Sequence, residues 1–157
     1  MELKRVVVTG LGTINPLGND VETTWENALA GKSGAGPITH FDVSLFKTKF
    51  GCEVKDFDPN DLFERKEARK YDRYSHFALQ AAKEAMEDSG LDLESENRDR
   101  IGVIFSAGIG GIRTFEEEVG SYYVNIDKGP RFNPFFIPKM IADIAAGHIS
   151  MIYGLRG

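Results

Sequence analysis

A few groups of residues have types that could do chemistry. Cys52 is the sole cysteine. A thiolate becomes a nucleophile when a helix N-terminus or a histidine lowers its pKa. Neither feature lies near Cys52 in the sequence, so it reads as a small apolar filler. One cysteine also excludes an intrachain disulfide framework and a cysteine-rich zinc site. His40, His76 and His148 are far apart and lack metal-ligand spacing. His148 falls on the apolar side of a helical pattern and reads as a hydrogen-bonded core histidine. Gly10-Leu11-Gly12 follows a short apolar run, as a dinucleotide loop would. The third glycine position holds Asn15, however, and no acidic residue closes a second strand about 20 residues on. A tight strand-to-loop turn is the better reading. Ser106-Ala107-Gly108-Ile109-Gly110-Gly111 is a second glycine-rich turn, without the Lys-Ser/Thr ending of a phosphate loop. Its glycines would let backbone approach either a ligand or a facing element, and both readings stay open. Arg65, Lys66, Arg69 and Lys70 form a basic cluster, with Lys66, Arg69 and Lys70 on one helical face. Lys128 and Arg131 form a smaller one. The residues alone favour a solvated face, partly neutralised by Glu64 and Glu67, over a docking patch for an acidic partner.

These residues need elements to position them. Residues 1–8 end in Val6-Val7-Val8, a β-branched run of the buried parallel-strand type. Asn19 or Asp20 can cap a helix over 21–30, with Val21, Trp25, Ala28 and Leu29 on one face and Gly31 as its stop. Residues 31–37 are loop, and 46–54 alternate as a strand would. Residues 66–89 read as one helix with a narrow stripe of small apolar residues, Phe77, Ala78, Ala81, Ala82, Ala85 and Met86, stopped by Gly90. A second strand is expected from residue 100 or 101 to 105. A helix then begins near Arg113, with Glu116, Glu117 and Glu118 in an early turn facing the helix dipole. Residues 128–133 are loop. Pro138 suits the first turn of a last helix whose broad apolar face runs from Ile137 through His148 to Ile152, ended by Gly154. Strands alternating with helices predict α/β layering with a mostly parallel sheet.

The chain has 157 residues, 41% hydrophobic and 27% charged, which is globular composition and excludes a disordered or fibrous protein. The net charge of −5 excludes a global basic field for nucleic acid. No apolar run approaches the roughly 18 residues needed to span a membrane. The first residues are too short for a signal-peptide core. One cysteine fits a reducing compartment. Two strands are a thin sheet for the helices that must cover it, and the apolar stretch 149–155 closes without a polar tail. We therefore expect a portion of a larger protein.

Several landmarks, in order, carry a resemblance. They are Val6-Val7-Val8-Thr9-Gly10-Leu11-Gly12, then Pro16-Leu17-Gly18 and Trp25, then Arg65-Lys66-Glu67-Ala68-Arg69-Lys70-Tyr71-Asp72. Asp88-Ser89-Gly90-Leu91, Gly108-Ile109-Gly110-Gly111 and Pro134-Phe135-Phe136-Ile137-Pro138 follow. The last are Ala146-Gly147-His148 and Tyr153-Gly154-Leu155-Arg156-Gly157. Nearly end to end, the chain resembles the β-ketoacyl-[acyl-carrier-protein] synthases, and most of all the condensing enzymes of dissociated bacterial fatty acid synthesis. The resemblance implies a thiolase-like fold, layered α/β/α/β/α in a longer homodimeric enzyme. Residues 1–157 would then be the N-terminal part of that ketoacyl synthase domain, most of its first half, ending before the nucleophile.

The implied chemistry is a decarboxylative Claisen condensation. A cysteine thiolate takes an acyl chain from the carrier protein, and malonyl-carrier protein then loses CO₂. The carbanion attacks the thioester and lengthens the chain by two carbons. By this resemblance the nucleophile follows Leu155-Arg156-Gly157 closely, and the catalytic histidines and their lysine lie further on. Cys52, His40, His76 and His148 do not match them, so the isolated stretch is expected to be inactive. Ile109 corresponds to the bend of the acyl pocket, and Phe136 to the aromatic that reaches into the partner subunit's pocket. Lys66, Arg69 and Lys70, with Lys128 and Arg131, correspond to the docking face for the acidic carrier protein. The implied partners are acyl- and malonyl-loaded carrier protein and a second copy of the enzyme, with no nucleic acid, no membrane, no cofactor and a cytoplasmic location. A non-catalytic carrier-binding scaffold and a polyketide chain-length partner fit the same residues. Faces meant for the rest of such an enzyme would lie exposed, so the isolated stretch is expected to be poorly soluble. A sharp cooperative melt of a monomer would count against that.

Overall fold

A computed structural model describes residues 4–129 and 131–157. Residues 1–3 of the first expected strand, and Pro130 of the loop 128–133, lie outside the described residues. The chain divides into two compact units. One comprises the residues up to Asp58 with Gln80–Leu91; the other comprises Pro59–Leu79 with Asp92–Gly157.

In the first unit, helix α1 spans Val21–Leu29. The Asp20 carboxylate accepts the Thr23 N–H at 2.6 Å and the Thr23 hydroxyl at 3.0 Å, which is the expected cap. At the other end Gly31 adopts φ +65°, and Lys32 N–H reaches the Asn27 carbonyl at 3.0 Å. That backbone reversal needs a left-handed residue, so the glycine stop is realised as a Schellman cap. The apolar face expected to be covered is open instead, with Trp25 63% exposed. The only sheet among the described residues pairs β1 (Gly36–Pro37) antiparallel with β2 (Phe50–Gly51). The strand expected over 46–54 is thus realised at two residues.

The expected mostly parallel sheet does not form among the described residues. Val6, Val7 and Val8 are in no strand and are highly exposed, and so is Ile104 in the expected second strand. A β-branched run becomes a strand only when a neighbour completes its hydrogen-bond ladder. In the first unit the backbone after Val8 is instead held by side chains. The Asp88 carboxylate accepts Leu11 N–H at 2.8 Å. The Glu84 carboxylate accepts Thr13 N–H at 2.8 Å and Val21 N–H at 2.7 Å. Both acids stand on helix α3, Arg73–Ser89, whose residues from Gln80 belong to this unit. Gly10 and Gly12 lie directly on that helix. A Cβ on Gly10 would overlap the Ala85 carbonyl oxygen, and one on Gly12 the Ala81 carbonyl oxygen. Neither glycine has positive φ. The tight-turn reading is therefore corrected: these glycines serve close approach to the small-residue stripe of a helix.

In the second unit the helix expected over 66–89 is two. Helix α2 is a single turn, Arg65–Ala68. Asp72 then restarts the helix, its carboxylate accepting Tyr74 N–H at 3.1 Å and its carbonyl accepting His76 N–H at 3.1 Å. Asp72 thus caps α3, and a cap needs non-helical backbone before it. Helix α4, Ile112–Val124, starts one residue earlier than expected and runs past Gly120. Glu116, Glu117 and Glu118 consequently miss its first turn, which holds no acid. The last expected helix also divides, into α5 (Phe136–Met140) and α6 (Ile144–Tyr153). Ile141 between them is extended, and its freed carbonyl accepts the Tyr74 hydroxyl. Gly154 ends α6 at φ +66°, as expected. Beyond it, Arg156 N–H reaches Arg98 O at 2.9 Å and Gly157 N–H reaches Ile101 O at 3.0 Å. This pairing engages only the first residue of the strand expected up to 105. Among the described residues no helix is long and apolar enough to cross a membrane.

Candidate functional site

The second unit contains the acyl-pocket and docking residues named from the sequence, and it orders them through three short segments. The first is the basic turn. Lys66 and Arg69 are exposed, and Arg69 is the C-cap of α2. Lys70 is half-buried and is bridged to Glu67 at 2.5 Å. Tyr71 donates its hydroxyl to the other Glu67 oxygen at 2.8 Å. The hydrogen bond from Lys70, then that from Tyr71, holds the Glu67 carboxyl below the usual carboxylate range. Burial, reinforced by the bond to Glu67, pushes the Tyr71 phenol up to about 12. The turn is therefore not uniformly basic: Arg69 and Lys66 present open charge, whereas that of Lys70 is half-neutralised.

The second segment is the glycine-rich turn before α4. Ile109 is 67% exposed. Gly110 has φ +80°, and a Cβ there would overlap the Met140 carbonyl oxygen. Gly111 is buried, and its N–H donates to the same carbonyl at 3.0 Å. Of the two open readings, Gly110 and Gly111 take the structural one, a backbone seat on the end of α5. A Cβ on Gly108 would meet no heavy atom within 4 Å beyond its chain neighbours. The turn thus presents Ile109 from a fixed base.

The third segment is α5 itself, which begins at Phe136. That ring lies 5.5 Å from Phe132 and 6.2 Å from Phe115, both stacked. Tyr122 stacks on Phe132 at 5.3 Å. Phe136 is thus built into an aromatic row of its own chain. The Glu118 carboxylate accepts Asn133 N–H at 3.0 Å, tying the 131–133 stretch to α4. Lys128 and Arg131 are both exposed. The structure brings the Ile109 turn onto the helix that Phe136 starts, and keeps the basic residues on the surface.

The histidines divide differently from the sequence reading. His76 is the hydrogen-bonded core histidine, its Nε2 2.9 Å from the Ala68 carbonyl. His148 is buried at 8% exposure, but its Nε2 has no hydrogen-bond partner, which corrects the expectation. Tyr71 covers it edge-on, ring centroids 4.5 Å apart, and the Tyr71 hydroxyl is already spent on Glu67. A cavity of about 420 Å³ beside it is lined by Tyr71, Phe135, Pro138, Met151 and Ile152, with Glu67 and Lys70. Cys52 is exposed rather than a filler, and His40 lies 3.8 Å from Glu53. Asp72 and Thr114 were missed by sequence reasoning. A helix-capping aspartate just before Arg73 was the available signal for the first; nothing linear marks the second.

Burial holds both His76 and His148 below the ordinary imidazole value of 6.5. The bond to Ala68 opposes this at His76, and the Glu67 charge opposes it at His148. The unfolded chain therefore takes up these protons more readily than the folded one. Their contribution to stability is complete above the unfolded pKa and is lost as pH falls below it. Denaturant midpoints are expected to drop between about pH 7.5 and pH 5.5. His148→Phe keeps the ring contact and removes the orphan nitrogen. It should flatten that slope and be neutral or stabilising at the upper pH. A slope unchanged in His148→Phe would assign the effect to other groups.

The family described as "Beta-ketoacyl synthase, N-terminal domain" matches residues 3–157, and the chain belongs to it. Among curated proteins it is 45% identical, over 98% of its length, to 3-oxoacyl-[acyl-carrier-protein] synthase 2 of Staphylococcus aureus (strain COL). It is 46% identical, over 100% of its length, to the protein of that name from Coxiella burnetii (strain RSA 493 / Nine Mile phase I). The chain spans 37% of the length of these relatives. Among solved structures it superposes with TM-score 0.78 and 26% identity on a type II polyketide acyl-carrier protein complex with its ketosynthase bound to the hexaketide, covering 98% of this chain and 40% of that one. The ishigamide ketosynthase/chain length factor gives TM-score 0.78 and 25% identity, covering 95% of this chain and 37% of that one. The thiolase-like fold implied by the sequence resemblance is the fold of these neighbours.

Proposed function

We propose that residues 1–157 supply the carrier-docking and acyl-accommodating part of a 3-oxoacyl-[acyl-carrier-protein] synthase. The reaction is the decarboxylative condensation that lengthens an acyl chain by two carbons. Lys66, Arg69 and Lys70, with Lys128 and Arg131, receive the acidic carrier protein, acyl- or malonyl-loaded. Ile109 borders the acyl chain, and Phe136 borders the pocket of a second copy in a homodimer. Cys52 is no part of this assignment, because it is exposed and has neither a histidine nor a helix N-terminus beside it in sequence. The thiolate and the histidines of the chemistry belong, by resemblance, to the part of the relatives' length that this chain does not match. The reaction needs no organic cofactor, and a cytoplasmic location goes with it.

The observation that carries the reading is the exposed cationic pair Lys66 and Arg69 on a net-acidic chain, beside the turn bearing Ile109. The polyketide complex named above supports it by kind, since there an acyl-carrier protein is bound to its ketosynthase. The test is a titration of the natural polypeptide carrying this sequence with acyl carrier protein. Binding should weaken with salt, since the face is electrostatic. With acyl- and malonyl-loaded carrier the product should be two carbons longer. Salt-independent binding, or none, would overturn the docking assignment.

A further inference from the structure

We propose that Asp72 is a positioning residue: it ties the glycine turn that carries Ile109 to the foot of the carrier-docking turn. This rests on the acyl-pocket and docking assignments just given. Asp72 directly follows Arg69, Lys70 and Tyr71. One carboxylate oxygen accepts Tyr74 N–H at 3.1 Å, which caps α3. The other accepts the Thr114 hydroxyl, from the first turn of α4. Gly111 sits against that same oxygen, where a Cβ would stand 3.0 Å away. Gly111 N–H is held by Met140 O at 3.0 Å, and the Tyr74 hydroxyl holds the adjoining Ile141 carbonyl.

Three segments, 72–74, 111–114 and 139–142, therefore meet at one carboxylate and its two neighbours. Thr114 is only 8% exposed, so water competes little for its bond to Asp72. Capping alone would use one carboxylate oxygen. The second oxygen is spent on the element whose entry turn presents Ile109, two residues before Gly111. The charge-assisted bond sets where that turn starts, and so where the Ile109 side chain stands relative to an acyl chain. Loss of the bond should loosen the choice of acyl length and leave the basic residues of α2 where they are.

The test uses the natural polypeptide with carrier-borne acyl substrates of two lengths. Thr114→Val removes the hydroxyl at nearly constant shape. It is expected to change the long-to-short ratio of kcat/KM by about fivefold or more, with carrier-protein affinity unchanged within error. Thr114→Ser restores the hydroxyl and should restore the ratio. Asp72→Asn retains the Tyr74 cap and is the second variant if Thr114→Val fails to fold; it should move the ratio the same way. An unchanged ratio in a folded variant, or a shift that serine does not rescue, overturns the proposal. Ile109→Ala separates the two layers. If it moves the ratio while Thr114→Val does not, Asp72 only caps a helix. If neither moves it, the acyl-pocket assignment falls as well.

Discussion

Gly12→Ala should be the most destabilising small substitution in the first unit. A methyl group there would overlap the Ala81 carbonyl oxygen and stand 2.6 Å from the Ala85 amide nitrogen. Both atoms belong to the backbone of α3, which cannot turn aside as a side chain would. The segment would have to lift off the helix. Lifting it stretches the bonds from Leu11 N–H to Asp88 and from Thr13 N–H to Glu84. Overpacking of a rigid contact costs about 1–3 kcal/mol, and the added bond losses put this change at or above the top of that range. Gly120→Ala is the control. It lies inside α4, and a Cβ there would meet no heavy atom within 4 Å outside the helix's own backbone. It should stabilise by roughly 0.5–1 kcal/mol, because alanine loses less entropy in a helix. Urea midpoints of the natural polypeptide decide the matter. A Gly12→Ala midpoint equal to wild type would mean that residues 10–12 do not rest on α3.

Charge reversal at Arg69 should have the largest effect on binding. Arg69 is exposed at the C-cap of α2, with its charge open to a partner. Lys70 already gives a hydrogen bond to Glu67. Arg69→Glu is therefore expected to weaken carrier-protein affinity about tenfold or more at low salt, mostly through slower association. Lys70→Glu should do less, since the charge it removes is half-spent inside its own turn. Both effects should shrink as salt rises. Arg113→Glu, at a residue paired with Glu117 on α4, is a control of equal charge change and should leave affinity unchanged. Equal losses for Arg69→Glu and Arg113→Glu would mean that only net charge matters. An unchanged affinity for Arg69→Glu would remove α2 from the docking face.

Much of the candidate site was legible in the residues because it depends on local chemistry. The cap at Asp20 and the stops at Gly31, Gly90 and Gly154 need only the nearest residues, and the helices end where those glycines stand. The ordered landmarks are properties of the string itself and carry the resemblance to the condensing-enzyme family, whereas the basic cluster alone favours a solvated face. What escaped was set by contacts between segments remote in sequence. Nothing local distinguishes a helix running through 69–72 from one that Asp72 restarts. That choice depends on whether Thr114 and Gly111 stand ready to use the carboxylate.

Caps and glycine stops were enough for the helix ends, and the order of motifs was enough for the family resemblance on which the proposed docking residues rest. They were enough because each is a short-range or purely compositional property. Folding in three dimensions decided that Gly10 and Gly12 serve close approach to α3, that Val6-Val7-Val8 and Ile104 remain outside any sheet, and that His148 rather than His76 keeps an unpartnered nitrogen. Each of these depends on what a distant segment brings within hydrogen-bond or van der Waals reach. A periodic pattern specifies which face of an element is apolar, but the ladder partner, the covering helix and the matching donor come from elsewhere in the chain.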